Sequence, residues 1–249
     1  MLSTTTRSNR WLWTEAAGTD NGLYVYRTES GSLQHIIHDS RNIQSLTNNI
    51  IWNIYTDQNR NIWLGTDYGI SLSRYNSALQ HIPISQITGT GDGNQFYSLF
   101  RDSKGLYWFG GTNGLIRFVS PQGNQHDAIW YKMGNETYPL PHNRIRHIYE
   151  DREHQLWIAT DGSINRYDYA SRQFVHYNIV DKTGAYNANW SYYMFEDADG
   201  KLWIATCLGG IFVVDKQQLI RSKADKYVAE QNYSLQNGLS GMFINQIIP

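Results

Sequence analysis

An asparagine, an aspartate and a tryptophan recur in this chain with eight residues from Asn to Asp and six from Asp to Trp. The pattern occurs four times, in the sets Asn49/Asp57/Trp63, Asn94/Asp102/Trp108, Asn143/Asp151/Trp157 and Asn189/Asp197/Trp203. Successive tryptophans of these sets are 45, 49 and 46 residues apart. A period in the mid-forties with constant internal spacing is typical of repeat proteins. The chain is therefore predicted to consist of stacked copies of one small unit.

Each unit contains four short runs rich in apolar and aromatic residues, separated by polar or glycine-rich turns. Residues 49–75 hold three of these runs, and LQHIPI at 79–84 supplies the fourth. Corresponding fourth runs are expected at 128–133, 174–179 and 227–233. Four such runs within one period predict an antiparallel four-stranded meander, and helical periodicity is not sustained anywhere. Meanders repeated radially form a β-propeller, so the predicted fold class is all-β with about five four-stranded blades.

The two ends of the chain set the predicted domain limits. Residues 1–10 form a polar segment, and the β-propeller is expected over 11–249. Its units are placed at about 11–44, 45–90, 91–139, 140–184 and 185–237, followed by a partial strand at 238–249. The first unit lacks an opening strand and has Trp13 at its tryptophan position. Two alternatives follow: the last strand completes the first blade and closes the ring, or the chain is part of a larger, seven-bladed propeller.

The repeated Asp and Trp are explained as structural residues. The sequences DSKG at 102–105 and DADG at 197–200 place Asp first and Gly fourth in a type I turn that joins two strands. Arg60 and His154 stand at the glycine position of the other copies, so those hairpins are expected to be more strained or differently bulged. The tryptophan follows just inside the second strand, where its ring is predicted to pack between blades.

Composition and charge exclude several classes of function. Lys and Arg number 21 against 22 Asp and Glu, so no positive excess favours nucleic acid as a partner. No apolar run is long enough for a membrane segment, and no signal peptide is expected at the polar N terminus. Cys207 is the single cysteine, which excludes an internal disulfide framework and a cysteine-rich metal site.

Two stretches carry the full repeat: NIIWNIYTDQNRNIWLGTDYGISLSRY at 49–75 and NRIRHIYEDREHQLWIATDGSINRYD at 143–168. Their pattern resembles the two-component regulator propeller repeat, from about Trp11 to Pro249. The resemblance implies the extracytoplasmic, periplasmic sensor region of a hybrid two-component system, with its histidine kinase elsewhere. It also implies an oligosaccharide ligand, a homodimer and no catalysis within this chain. Family propellers usually have seven units, so about five units imply part of a sensor or a degenerate relative.

Candidate binding residues lie at positions where the aligned repeats differ. In a propeller the first strand of each blade lines the central channel, and the turns after the second strand reach the same face. Aromatic rings stack on sugars and charged groups bind their hydroxyls, so these positions suit an oligosaccharide. The candidates are Trp52, Asp67, Tyr68, Tyr97, Asn113, Arg144, Arg146, Asp161, Trp190 and Tyr192. The alternative is that these residues only fill a narrow channel.

Catalytic patterns are weak, so no catalytic residue, metal ligand or cofactor is predicted. The eight histidines show no metal-ligand spacing, and no nucleophile elbow or phosphate loop occurs. Three hypotheses remain: a ligand-sensing propeller, a non-signalling scaffold or lectin-like propeller, and a metal-dependent lyase that would use His142 and His147. The last is the least favoured. The segment Asp181-Lys-Thr-Gly184 is predicted to be a turn.

Overall fold

The computed structural model describes residues 14–28, 30–74, 79–82, 84, 94–119 and 128–248. Trp13 and the polar segment 1–10 lie outside the described residues. The chain forms two compact units. Unit one comprises Met1–Arg101, Gly105–Thr112 and Arg117–Ala128, and unit two comprises Asp102–Lys104, Asn113–Ile116 and Ile129–Pro249.

Antiparallel sheets follow one another along the chain and are numbered as blades one to five. Blade one has three strands, β1 (Thr14–Thr19), β2 (Gly22–Arg27) and β3 (Ser32–Ile36). Blades two and three have four strands each: β4 (Ile51–Thr56), β5 (Ile62–Thr66), β6 (Gly69–Ser73) and β7 (Leu79–Ile82), then β8 (Phe96–Arg101), β9 (Tyr107–Gly111), β10 (Gly114–Phe118) and β11 (Ile129–Tyr131). Blade four contains β12 (Ile145–Glu150), β13 (Leu156–Thr160), β14 (Ser163–Asp168) and β15 (Gln173–Tyr177). The predicted all-β fold built from four-stranded meanders is confirmed.

Blade five contains an insertion that the sequence analysis missed. Its strands are β17 (Ser191–Glu196), β18 (Lys201–Thr206), β19 (Ile211–Asp215) and β21 (Gln231–Tyr233). Between the last two lies the helix α1 (Lys216–Arg221), which begins where the Asp215 side chain accepts the Gln218 N–H at 2.8 Å. Two short strands, β16 (Ile179–Val180) and β20 (Tyr227–Val228), pair in parallel, and a 3-10 turn (Leu235–Asn237) follows β21. Six helical residues are too few for their periodicity to stand out in the sequence.

The repeated aspartate is a turn residue, as predicted, and also binds the repeated tryptophan. Asp57 Oδ1 accepts the backbone N–H groups of Asn59 and Asn61 at 2.9 and 3.0 Å, and its Oδ2 accepts the Trp63 indole N–H at 3.0 Å. Asp151 and Asp197 make the same set of bonds. Burial would raise the pKa of Asp57, but these donors outweigh it and lower the pKa.

The fourth position of these turns has positive φ in every copy. The angle is 84° at Gly105 and 78° at Gly200, against 64° at Arg60 and 61° at His154. Glycine adopts this left-handed conformation freely, whereas a residue with a β-carbon does so at a cost. The predicted strain at the Arg60 and His154 hairpins is therefore confirmed.

The turn aspartates also receive a donor from the next blade. In unit one the Tyr107 hydroxyl donates to Asp57 Oδ2 at 3.2 Å, and burial together with Asp57 raises the pKa of Tyr107 to about 12. In unit two the Tyr169 hydroxyl donates to Asp102 at 2.9 Å. The Lys216 ammonium, 1% exposed, lies 3.1 Å from Asp151 Oδ2 and 2.6 Å from Glu196 Oε1. These bonds join successive blades, a role that the sequence analysis did not assign.

The repeated asparagine supplies a second bond between blades. In unit one the Gly22 N–H donates to the Asn49 carbonyl at 2.7 Å, and Gly69 to Asn94 at 3.2 Å. In unit two Gly114 donates to Asn143 at 2.7 Å. These glycines are the first residues of β2, β6 and β10, and each asparagine precedes the first strand of the next blade.

The segment after blade five repeats this bond without forming a strand. The Gly210 N–H donates to the Met242 carbonyl at 3.3 Å, and Met242 aligns with Asn49. Residues 238–248 are in no strand among the described residues. The partial strand predicted at 238–249 is thus not formed among the described residues, and both alternatives, ring closure and a larger propeller, stay predictions.

The core of each unit lies between neighbouring blades. In unit one Leu23 of blade one packs with Leu46, Ile51 and Leu64 of blade two. In unit two a larger cluster joins Trp157 and Ile164 of blade four to Met194, Ile204 and Phe212 of blade five. Trp63, Trp108 and Trp157 are fully buried, and Trp63 lies 5.2 Å from the Tyr107 ring of blade three. The prediction that the repeated tryptophan packs between blades is confirmed.

Candidate functional site

A β-bulge interrupts the first strand of blades two to five at one repeat position. The register shifts across a single residue in each case. That residue is Trp52 in β4, Tyr97 in β8, Arg146 in β12 and Tyr192 in β17. A bulge leaves one residue without a direct partner and re-aims its side chain. All four are predicted binding residues, so the same backbone irregularity positions each of them.

The unit-one cluster consists of Trp52, Asp67, Gln95 and Tyr97. Asp67 Oδ1 accepts the Trp52 indole N–H at 3.0 Å and the Gln95 amide at 2.5 Å. The Tyr97 hydroxyl donates to Gln95 Oε1 at 2.5 Å, and the Trp52 and Tyr97 rings meet edge to face at 5.4 Å. Trp52 is still 39% exposed. The cluster thus presents an aromatic face whose polar edge is fixed by a carboxylate.

The unit-two cluster consists of Arg144, Arg146, Asp161, Tyr192 and Phe243. Arg146 Nε and Nη2 donate to the two Asp161 oxygens at 2.7 and 3.2 Å. Arg144 Nη1 lies 3.6 Å from Asp161, and its side chain is 46% exposed against 7% for Asp161. Two guanidinium groups therefore share one carboxylate, which leaves the cluster with a net positive charge.

Aromatic rings flank the arginines of the unit-two cluster. The Arg146 guanidinium lies over the Tyr192 ring, 4.5 Å from its centroid, a favourable cation–π geometry. The Tyr192 and Phe243 rings meet edge to face at 5.2 Å. Burial raises the pKa of Tyr192, so its hydroxyl stays protonated and able to donate.

Three predicted residues lie outside these two clusters. Tyr68 is 55% exposed in the turn after β5, where its N–H donates to Thr66 Oγ1 at 3.2 Å. The Asn113 carbonyl accepts the Trp130 indole N–H at 2.8 Å, which connects the turn after β9 to β11. Trp190 is 46% exposed, and its N–H donates to the Asp161 carbonyl at 2.9 Å. Trp190 is thus tied to the unit-two cluster through its backbone.

Two residues in the clusters, Gln95 and Phe243, were not among the predicted candidates. Gln95 stands at the repeat position of Trp190, one of the positions that vary between units. Phe243 follows Met242 and aligns with the same position in the segment after blade five. The repeat alignment could have identified both, because each occupies a position already marked as variable.

The two histidines of the lyase hypothesis are engaged with the protein. The His142 Nδ1 accepts the Arg144 N–H at 3.1 Å. The His147 Nδ1 accepts the Met194 N–H at 3.3 Å, and its ring stacks on Tyr193 at 4.2 Å. Part of the His147 side chain reaches the surface, yet desolvation lowers its pKa to about 4. No group of His, Cys, Asp or Glu side chains suited to a metal ion occurs among the described residues.

The turn predicted at 181–184 is present and is held by its aspartate. Asp181 Oδ1 accepts the Tyr186 N–H at 2.8 Å, and Oδ2 accepts the Thr183 N–H at 3.0 Å. The Gly184 N–H closes the turn on the Asp181 carbonyl at 3.1 Å. These bonds use the carboxylate for backbone structure.

The two-component regulator propeller model matches four segments of this chain, residues 45–68, 90–113, 139–162 and 185–207. Each segment holds one Asn/Asp/Trp set. The extracellular domain of BT4673 from B. thetaiotaomicron, assigned to a hybrid two component system, is 79% identical with a TM-score of 0.67. That match covers 95% of this chain and 32% of the other.

Two further proteins are similar over smaller or more divergent regions. The extracellular domain of BT3049 from the same organism is 22% identical with a TM-score of 0.69, over 95% of this chain and 29% of the other, and supports the fold alone. Histidine kinase P4 of Formosa agariphila is 34% identical over 68 residues, 26% of this chain and 5% of that protein. The chain thus spans a third or less of these relatives. Among the described residues, no helix is both long and apolar enough to cross a membrane.

Proposed function

Because this chain is built from two-component regulator propeller repeats, we propose that it is a ligand-sensing part of a periplasmic sensor region in a hybrid two-component system. Its ligand is an oligosaccharide, bound at the bulged residues of the first strands. The chain itself catalyses no reaction, and the signal passes to a histidine kinase outside these residues.

The bulged residues carry this proposal. In each unit, residues from neighbouring first strands come together beside one aspartate: Trp52 and Tyr97 at Asp67, and Arg146 and Tyr192 at Asp161. Each cluster combines ring faces with fixed hydrogen-bonding groups. Sugars offer apolar C–H faces and many hydroxyls, so they complement both features.

Signalling requires that the ligand bind two arrangements of the sensor with different affinity. A ligand that binds both arrangements equally shifts no equilibrium. A homodimer of the parent sensor could pack in two arrangements, and the oligosaccharide would favour the arrangement in which it makes more contacts. Such coupling between binding and packing distinguishes a sensor from a lectin-like scaffold, which binds its ligand without a change in packing.

Calorimetric titration of the intact chain against tetra- to hexasaccharides from plant and host glycans tests ligand binding. We expect micromolar binding of at least one oligosaccharide, weakened at least about tenfold, or roughly 1.4 kcal/mol, by Trp52→Ala or Tyr192→Ala. Tyr26→Ala is the matched control, since Tyr26 is 40% exposed on β2, outside both clusters. Absence of binding by every sugar, or binding unaffected by both cluster variants, contradicts the proposal.

The sensing role needs a second measurement in the parent sensor. Variants that weaken binding should shift ligand-dependent autophosphorylation to higher ligand concentration, while the Tyr26→Ala sensor should respond as the wild type does. Binding without any change in kinase output would favour the lectin-like scaffold.

A further inference from the structure

Trp190 differs from the other described tryptophans in both its backbone and its ring. We infer that Trp190 is the residue on which unit two stacks a sugar ring, and that the fold holds it in a strained conformation for this purpose. The inference rests on the proposed function and names the binding residue and the chemical class of its ligand.

The backbone of Trp190 lies in the left-handed region, with φ of 53°. Such angles are uncommon for residues with a β-carbon and are outliers for bulky ones. Ile50, Gln95 and Arg144 occupy the same repeat position, and none of them has positive φ. The strain is therefore particular to the tryptophan copy and is not a property of the repeat.

One backbone hydrogen bond is particular to the Trp190 copy: its N–H donates to the Asp161 carbonyl at 2.9 Å. Its carbonyl accepts the Cys207 N–H at 2.9 Å, a bond that the carbonyls of Ile50, Gln95 and Arg144 also make in their own repeats. Asp161 is also the residue whose carboxylate orients Arg146. The strained residue is thus anchored to the centre of the unit-two cluster.

The Trp190 ring has no compensating partner in the described part of the chain. It is 46% exposed and makes no hydrogen bond, ring–ring contact or cation–ring contact with the described residues. In contrast, the Trp52 indole N–H donates to Asp67 and its ring contacts Tyr97. Strained backbone conformations cluster at ligand sites, where the strain is part of the mechanism.

The surroundings of Trp190 indicate a pyranose as the ligand. The open indole face can cover the apolar C–H face of a sugar, while the indole N–H is available to a hydroxyl. Arg144 is half exposed and held by Asp161 only at 3.6 Å, so its guanidinium can turn toward another hydroxyl. A sugar ring with one apolar face and several hydroxyls therefore complements the indole face, the indole N–H and the Arg144 guanidinium.

The test compares Trp190→Ala with Trp190→Gly. Both variants remove the ring, but only glycine relieves positive φ. We expect Trp190→Gly to melt about 2–4 °C above Trp190→Ala. At the matched control position the order should reverse, with Ile50→Gly below Ile50→Ala, because Ile50 has no positive φ to relieve.

Binding is measured for the same variants with the oligosaccharide that binds the wild-type chain most tightly in the calorimetric panel. Both Trp190 variants should lose at least about tenfold in affinity, and Trp190→Phe should retain part of it. A Trp190→Gly protein that binds as the wild type does overturns the stacking role. If Trp190→Gly melts no higher than Trp190→Ala, the inference that the Trp190 backbone is strained is wrong. If the wild-type chain binds no sugar, the proposed function fails, and the stacking role fails with it.

Discussion

The two clusters occupy the same repeat positions but differ in chemistry. Trp52, Asp67 and Tyr97 in unit one correspond to Arg146, Asp161 and Tyr192 in unit two. In unit one the aspartate accepts two neutral donors, an indole and an amide. In unit two it binds two guanidinium groups, Arg146 by hydrogen bonds and Arg144 by an ion contact at 3.6 Å, and the Tyr192 ring contacts the Arg146 guanidinium.

The difference shows that the repeat fixes where these side chains meet, whereas the type of side chain at each position varies between the units. The bulge and the turn after the second strand bring a bulged side chain and an aspartate together in both units. The unit-one cluster, with Asp67 as its one ionised side chain, carries one net negative charge, and the unit-two cluster, with Arg144, Arg146 and Asp161, carries one net positive charge. The same scaffold can therefore hold different functional groups of a ligand.

The largest expected difference concerns the two aspartates. Asp161→Ala leaves the mostly buried Arg146 without its carboxylate, so we expect it to lower the free energy of unfolding by about 3 kcal/mol. Asp67→Ala removes an acceptor from neutral donors and should cost about 1 kcal/mol. Urea unfolding of both variants measures the gap, with the exposed Asp20→Ala as control. Equal losses at Asp67 and Asp161 would contradict the distinction between neutral and ionic partners.

Acidification should affect unit two through His147. Its pKa is about 4 in the folded chain against 6.5 for an ordinary histidine, so between these values the unfolded chain binds a proton that the folded chain does not. Stability therefore falls as pH decreases from 6.5 to 4, by up to about 3 kcal/mol. Unit one has Asn53 and Ser98 at this repeat position, which do not titrate.

The control for this pH dependence is His147→Gln. Unfolding free energies at pH 7 and pH 4.5 should differ less in this variant than in the wild type. The lowered pKa values of Asp57 and Asp197 act in a separate range, because their stabilisation is lost only as pH falls below the ordinary 3.8. An unchanged pH dependence in His147→Gln would assign the acid sensitivity to other groups.

A smaller effect on the free energy of unfolding is expected from a substitution at Trp52, the partly exposed residue of the unit-one cluster. Trp52→Phe keeps an aromatic ring but removes the N–H that donates to Asp67. We expect a loss of about 1 kcal/mol in the free energy of unfolding, since the freed oxygen can still reach water. Tyr26→Phe serves as the control for removing a polar group from an exposed ring. A loss several times larger would mean that Trp52 also supports the blade core.

The smallest effect is expected for Arg144→Ala. Its ion contact is long and its side chain half exposed, so the pair should contribute only about 0.5 kcal/mol. Thermal unfolding at low and high salt tests this, because an exposed pair weakens as salt rises. A loss as large as that of Asp161→Ala would show that Arg144 is structurally equivalent to Arg146.

The sequence predicted most of the fold, because its turns and strands follow local rules. Asp and Gly at fixed turn positions, and apolar runs of five to seven residues, identified the hairpins of blades two to five. The sequence analysis did not predict helix α1, because the helix is short and is determined by its cap at Asp215. The pairing of β16 with β20 joins residues far apart in the chain, and no local pattern encodes it.

The candidate site could be predicted only in part, since which side chains meet depends on neighbouring blades. Variable repeat positions identified Trp52, Tyr97, Arg146 and Tyr192, but nothing in the sequence showed the bulges that re-aim them. The partners of Asp67 and Asp161 also depend on which residue the next first strand supplies. The role of these residues in ligand binding stays a prediction.

The donors that reach back to the turn aspartates give the chain a direction of assembly. The turn aspartates of blades two to four each bind a residue that lies later in the chain: Asp57 binds Tyr107, Asp102 binds Tyr169 and Asp151 binds Lys216. Because domains form from the N terminus during synthesis, the carboxylate of a new blade has only the donors of its own hairpin until the next blade emerges. An engineer who exchanges blades between such proteins should therefore transfer each hairpin together with the donor from the blade that follows it.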